Sequence, residues 1–212
     1  MAIKNFIRFT PPPLYKILLG LTLIYYLVFG VFMAFTAGQP DQSVHYFFSK
    51  QYTETWGIPE ESDAFPAFIF TGKPYLFYWL NGFVSKIFLW IHPNNPPIRL
   101  IIFMRLFSVF ISSFTVFFAY KLGAKVTGNP YAGVLTAFFL SNTLMFVFVS
   151  GGISYDNLMN LAGMASIFYL VKVYKGENFV RNTALTGIWT LIGSLSKEQF
   201  LLLALIIFIA WL

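Results

Sequence analysis

The chain has 212 residues, 58% of them apolar and 10% charged, against roughly 25% charged in an ordinary soluble domain. Its 27 Phe, 12 Tyr and 5 Trp exceed what a soluble fold of this size can bury, so a water-soluble globule is excluded and a polytopic membrane protein is expected. The net charge of +6 does not point to nucleic acid, because basic residues of membrane proteins gather in cytoplasmic loops, and the lack of cysteine excludes a disulfide framework, a thiolate nucleophile and Cys-ligated zinc.

The first apolar run, Leu14 to Thr36, exceeds the roughly 20 residues a span needs. It adjoins a basic, proline-marked N-terminus carrying Lys4, Arg8 and, at the start of the run, Lys16, so the N-terminus is expected on the cytoplasmic side and the run is expected to cross outward. The run is longer than the roughly 7–15 apolar residues of a signal peptide, which favours an uncleaved anchor. The polar stretch from Gln39 to Lys73 carries Asp41, Glu54, Glu60, Glu61 and Asp63, with Pro59 and Pro66 as breakers, and is expected to form an external loop. Asp41 stands where an N-cap would open a helix, and a simple cap is the plain account of it. Asp41, His45 and Tyr52 would share one face of that helix.

In the next run, Pro74 to Ile91, the residues Leu76, Trp79, Leu80, Phe83, Ile87 and Trp90 form one helical stripe, with Tyr78, Asn81 and Ser85 opposite. That pattern suits a helix lying in the membrane interface. The runs Leu100 to Tyr120, Tyr131 to Ser150, Asn157 to Val171, Asn182 to Ser196 and Phe200 to Leu212 follow. The expected fold is an all-α polytopic membrane protein with about six transmembrane helices and two interfacial helices in the first external loop. Residues 1–212 would form a single module, with an anchor over 1–36, the external loop over 37–99 and a helical bundle over 100–212. The last run stops at Ala210-Trp211-Leu212 with no polar residue closing it, so the module is expected to be incomplete at its C-terminus.

Charge parity supports the flat helix. With Pro74 to Ile91 in the interface, Lys121, Lys125, Lys172, Lys175 and Arg181 join the basic N-terminus inside, and every acidic residue except Glu177 falls outside. Asp41, His45, Lys73, Arg99, Arg105, Asp156, Lys197 and Glu198 would then meet near one external face.

Within this set, Lys73 precedes a proline able to open a helix, which suits an anion such as a lipid phosphate, though a snorkelling lysine has the same pattern. Arg105 is a second cation within reach of the outer headgroups. Asp156 and Lys197 interrupt apolar sequence where ionisable groups are costly, so they are expected to pair, either within a functional site or as a structural tether. Asp41 and His45 at i, i+4 supply two ligands toward a divalent metal, an incomplete set, and metal use stays open. The chain has no Gly-rich phosphate loop, serine nucleophile elbow or zinc motif.

In order and spacing these features resemble the N-terminal transmembrane module of the GT-C glycosyltransferases, the superfamily of protein O-mannosyltransferases and lipid A aminoarabinose transferases. The features are one span, an acidic loop helix at Asp41-Gln42-Ser43-Val44-His45, the Gly72-Lys73-Pro74-Tyr75 segment, an Arg-led span, the Ser154-Tyr155-Asp156 turn and the Ser196-Lys197-Glu198 turn. The resemblance implies inverting transfer of a sugar from a polyprenyl-phosphate donor to an acceptor on the outer face of the membrane. It implies Asp41 as the catalytic base, Lys73, Arg105 and Lys197 on the donor phosphate, and Asp156, Glu198 and His45 around the donor pocket. Gln42 replaces the second acidic residue usual in the family, and Lys197 is followed by Glu198 rather than glycine. The partners implied are the lipid-linked donor and membrane lipid. A non-catalytic GT-C-like subunit packed among membrane-protein partners is the alternative.

Overall fold

The computed structural model describes residues 13–36, 38–39, 41–55, 75–94 and 96–211. All regular structure among them is helical: α1 (Leu14–Thr36), α2 (Gln42–Glu54), α3 (Leu76–Ile91), α4 (Pro97–Thr127), α5 (Pro130–Ser141), α6 (Leu144–Ser150), α7 (Asp156–Tyr174), α8 (Phe179–Ser196) and α9 (Phe200–Trp211). Helices α1 and α4 are long and apolar enough to cross a membrane, and the bent pair α5–α6 makes a third crossing if it is one span. The all-helical class is as expected, whereas a count of six spans is not established by these lengths.

The run expected as one span over Tyr131 to Ser150 is broken. Helices α5 and α6 meet at 70°. Asn142 Nδ2 donates to Phe138 O at 2.8 Å and Thr143 Oγ1 to Phe139 O at 3.1 Å, while Tyr25 Oη donates to Asn142 Oδ1 at 3.0 Å. The Thr143 hydroxyl takes the Phe139 carbonyl that its own N–H would bond in a continuing helix, that N–H turns to Leu140 O at 3.0 Å, and the axis turns there. Gly128, left-handed at φ 72°, separates α4 from α5, and Asn129 caps α5 by accepting from the Tyr131 N–H at 2.9 Å.

Helices α4 and α7 run side by side in the same direction. Ser112 bonds Asn157 near one end, Phe118 meets Phe168 midway, and Lys125 pairs with Glu177 at the other. Helix α1 runs antiparallel to α4, as Gly30 faces Val109 and the Ala34 carbonyl reaches Arg105. Helix α8 returns along α7. One end of the bundle therefore holds the end of α1, the start of α2, Arg105, the 151–156 turn and Lys197. The opposite end holds Lys125, Lys172, Lys175 and Glu177.

Helix α3 is inside out by soluble standards. Phe77, Tyr78, Asn81, Gly82 and Ser85 are buried, with Asn81 Nδ2 3.4 Å from Ser49 Oγ of α2, while Trp90 is 84% exposed and Ile87 45%. A bilayer tolerates that apolar stripe, whereas polar groups facing it would lose hydrogen bonds. The crossing of α2 over α3 depends on Gly82, where an added Cβ would stand 2.5 Å from Tyr52 Cβ and 2.9 Å from Ser49 O. Helix α9 leaves Leu201, Leu202, Leu205, Ile206, Phe208 and Ile209 exposed, a surface suited to lipid or helical neighbours.

Candidate functional site

Helix α2 begins at Gln42 with Asp41 in the N-cap position, and the Asp41 backbone carbonyl accepts from the N–H groups of Val44 and His45 at 3.1 and 3.2 Å. Its carboxylate makes no capping hydrogen bond. Asp41 is exposed, so the side chain is available to another partner and the plain account of it as a cap does not hold. The next residue, Gln42, accepts from Arg105 Nε through Oε1 at 2.8 Å, and Arg105 Nη1 donates to the Ala34 carbonyl at the same distance. Arg105 thus binds the end of α1 to the start of α2, with two of its donors engaged by the protein.

One turn further, His45 Nδ1 lies 2.8 Å from Tyr78 Oη. Tyr78 is 3% exposed. Burial, followed by the neighbouring Tyr155, Asp156 and Tyr52, pushes its phenol well above the ordinary tyrosine range. A neutral phenol can donate to Nδ1 or accept from it, so either tautomer of the His45 imidazole makes this bond. The His45 ring also meets Tyr155 edge-on, with centroids 4.8 Å apart.

Lys197 sits over the same Tyr155 ring, its Nζ 4.8 Å from the centroid, and donates to Asp156 Oδ1 at 2.6 Å. The expected pair is therefore present, with side chains 21% and 28% exposed. Asp156 Oδ2 accepts from Ser154 Oγ at 3.2 Å. A row of contacts runs from His45 through Tyr155 to Lys197 and Asp156, with Asp41 one helical turn from its start. Glu198 is exposed in the turn after α8. Lys73 lies outside the described residues. Among the described residues no three His, Asp or Glu side chains converge as a metal site would require.

Sequence reasoning missed three supports of this site. Asn157, 1% exposed, donates from Nδ2 toward the carbonyls of Ser154, Gly152 and Val149 at 3.1, 3.2 and 3.3 Å, and accepts from Ser112 Oγ at 2.8 Å. It thereby holds the turn that presents Tyr155 and Asp156. Gln39 Nε2 donates to the carbonyls of Phe148 and Val149 at 2.9 and 2.8 Å, tying the approach to Asp41 onto α6. An added Cβ at Gly152 would overlap the Gln39 carboxamide. The third support is Tyr78. The available signal was the Gly151-Gly152 pair ahead of Ser154-Tyr155-Asp156-Asn157, since adjacent glycines beside polar residues mark a close approach.

A family model described as dolichyl-phosphate-mannose-protein mannosyltransferase matches residues 65–212. The chain belongs to this family. The mannosyltransferase family lies within the GT-C superfamily, so the protein is a member of a membrane glycosyltransferase family. The matched segment contains α3 to α9 with Arg105, Asp156 and Lys197, while Asp41 and His45 precede it. No curated protein and no solved structure matches the chain.

Proposed function

We propose that the protein is a glycosyltransferase, or the N-terminal part of one, that takes a sugar from a polyprenyl-phosphate-linked donor at the end of the bundle carrying Asp41. The family's printed name makes mannose the first sugar to test. The observation that carries this reading is the uncapped Asp41 carboxylate beside the row His45, Tyr155, Lys197 and Asp156, in a chain of this family.

In the proposed step the acceptor hydroxyl oxygen attacks C1 of the sugar from the face opposite the phosphate. A new C1–O bond forms, the C1–O(phosphate) bond breaks, and its electron pair leaves on the lipid phosphate. The hydroxyl proton passes to the Asp41 carboxylate, which acts as general base. The Lys197 ammonium, with Lys73 in the loop, balances the charge that grows on the departing phosphate. Arg105 serves first to hold Gln42 and, through it, the start of α2. Asp156 keeps Lys197 in place and, with His45 and Glu198, faces the donor pocket. The reaction is placed on the external side, with the Lys125, Lys172 and Lys175 end in the cytoplasm, because basic residues favour that side.

The test uses the full chain in lipid nanodiscs containing radiolabelled polyprenyl-phosphate mannose and a hydroxyl acceptor peptide. Wild-type protein is expected to transfer label, and Asp41→Asn to lose at least 100-fold in rate, within the range for a lost general base. Wild-type rates from Asp41→Asn would remove Asp41 as the base.

A further inference from the structure

The end of the bundle opposite Asp41 carries Lys121 and Lys125 on α4, Lys172 and Lys175 at the end of α7, and Arg181 on α8. Glu177 is the only carboxylate among the described residues that pairs with any of them, and it is shared between Lys125 and Lys172. Five cations against one carboxylate leave an excess of four positive charges. Lys175 donates to the Lys125 and Val126 carbonyls at the end of α4, which holds it in place without neutralising it.

Lys121 lies six residues before the end of α4, a helix apolar enough to cross a membrane, or about 9 Å along its axis. Its Nζ stands 4.7 Å from the Phe117 ring centroid, 5.6 Å from that of Phe118 and 5.7 Å from that of Phe168. Lys172 Nζ is also 5.7 Å from the Phe168 centroid, so two ammonium groups share one ring. Ring faces attract a cation but cannot neutralise it, and no carboxylate pairs with Lys121 among the described residues.

Apolar groups stand exposed among these cations: Val126 is 56% exposed, Tyr174 65% and Val180 78%. Cations interleaved with exposed apolar and aromatic groups match the headgroup layer of a bilayer, where rings and basic side chains both gather. An acidic protein segment arriving from water would meet Lys175 and Arg181, which are exposed, before Lys121. A phosphodiester in the headgroup layer stands at the depth of Lys121.

We infer that this end of the bundle binds an anionic glycerophospholipid, with its phosphate paired to Lys121 and Lys172 and its acyl chains in the bilayer beside α4. None of these residues belongs to the Asp41 end, so the site is independent of the transfer reaction.

The experiment places the full chain in nanodiscs of phosphatidylcholine and phosphatidylglycerol in equal amounts with matched acyl chains, and reads by native mass spectrometry which lipid stays bound on release. Wild type should retain phosphatidylglycerol over phosphatidylcholine roughly tenfold or more, since one cation near an anionic lipid contributes about fivefold, or about 1 kcal/mol. Lys121→Gln and Lys172→Gln should each lower that preference about fivefold. Lys121→Arg should keep it, which separates loss of charge from loss of folding. Lys50→Gln, which removes an exposed cation on α2, should leave it unchanged. Equal retention of the two lipids by wild type would overturn the site; binding of soluble poly-glutamate in that case would assign the surface to an acidic protein segment. Equal falls in Lys50→Gln and Lys121→Gln would show a response to net charge alone and overturn it, as would a fall in Lys121→Arg matching that in Lys121→Gln. Displacement of phosphatidylglycerol by millimolar inorganic phosphate would make this a free-anion site and overturn the lipid.

Discussion

Replacing Asn157 with alanine tests whether one buried amide holds the turn that presents Asp156. The Asn157 amide has two protons for three carbonyls at 3.1–3.3 Å and accepts from Ser112 at 2.8 Å, so about three hydrogen bonds count at a time. At about 0.6 kcal/mol each, the mean for side-chain bonds within membrane proteins, they contribute about 2 kcal/mol. Ser112 is fully buried and would lose its acceptor, which raises the expected loss to about 2–3 kcal/mol. For a chain of this length that corresponds to a fall in melting temperature of roughly 4–12 °C, by the soluble-protein relation of about 2–4 °C per kcal/mol. Thermal unfolding in detergent, followed by tryptophan fluorescence, measures it. A cycle with Ser112→Ala should show that the two substitutions are not additive, because they share one bond. A melting temperature for Asn157→Ala within 1 °C of wild type would refute the reasoning.

The other expectations are simpler. Asp41→Ala should change stability by less than about 0.5 kcal/mol, because the carboxylate caps nothing, whereas a true cap would cost about 1 kcal/mol; chemical unfolding separates the two. Lys197→Met should destabilise by about 1–2 kcal/mol, between the values for exposed and buried pairs, by leaving Asp156 without its partner at 2.6 Å. The double variant Asp156→Asn/Lys197→Met should recover part of that loss in the same unfolding assay. Gly82→Leu should force α2 off α3, where Tyr52 Cβ and Ser49 O leave no room. The expected cost is at least 2 kcal/mol, toward the upper part of the overpacking range, with loss of the His45–Tyr78 bond visible in histidine NMR spectra.

Much of the architecture was legible in the chain itself. The apolar runs ended within a few residues of helices α1, α7 and α8, because a sustained apolar run bounded by polar residues and breakers reads as a helix whatever it packs against. The polar stripe of α3 was legible from its helical spacing. The Asp156–Lys197 pair could be anticipated, since an ionisable group in apolar sequence nearly always meets a partner. The break at Asn142-Thr143 was not, because apolar composition continues across it and the bend depends on side chains capturing local carbonyls. Gln39, 109 residues from Phe148, and Ser112, 45 residues from Asn157, left no periodic trace.

Composition and periodicity by themselves determined that this is a helical membrane protein, because burying charge in lipid is costly enough to be written into local sequence. The placement of Arg105, Asp156 and Lys197 at one end of the bundle and of Lys125, Lys172, Lys175 and Glu177 at the other was decided by the tertiary structure. So were the uncapped Asp41, the Arg105 link between α1 and α2, and the stacking of His45 and Lys197 on one tyrosine. Each depends on the distance and angle at which helices meet, and no run of adjacent residues encodes those.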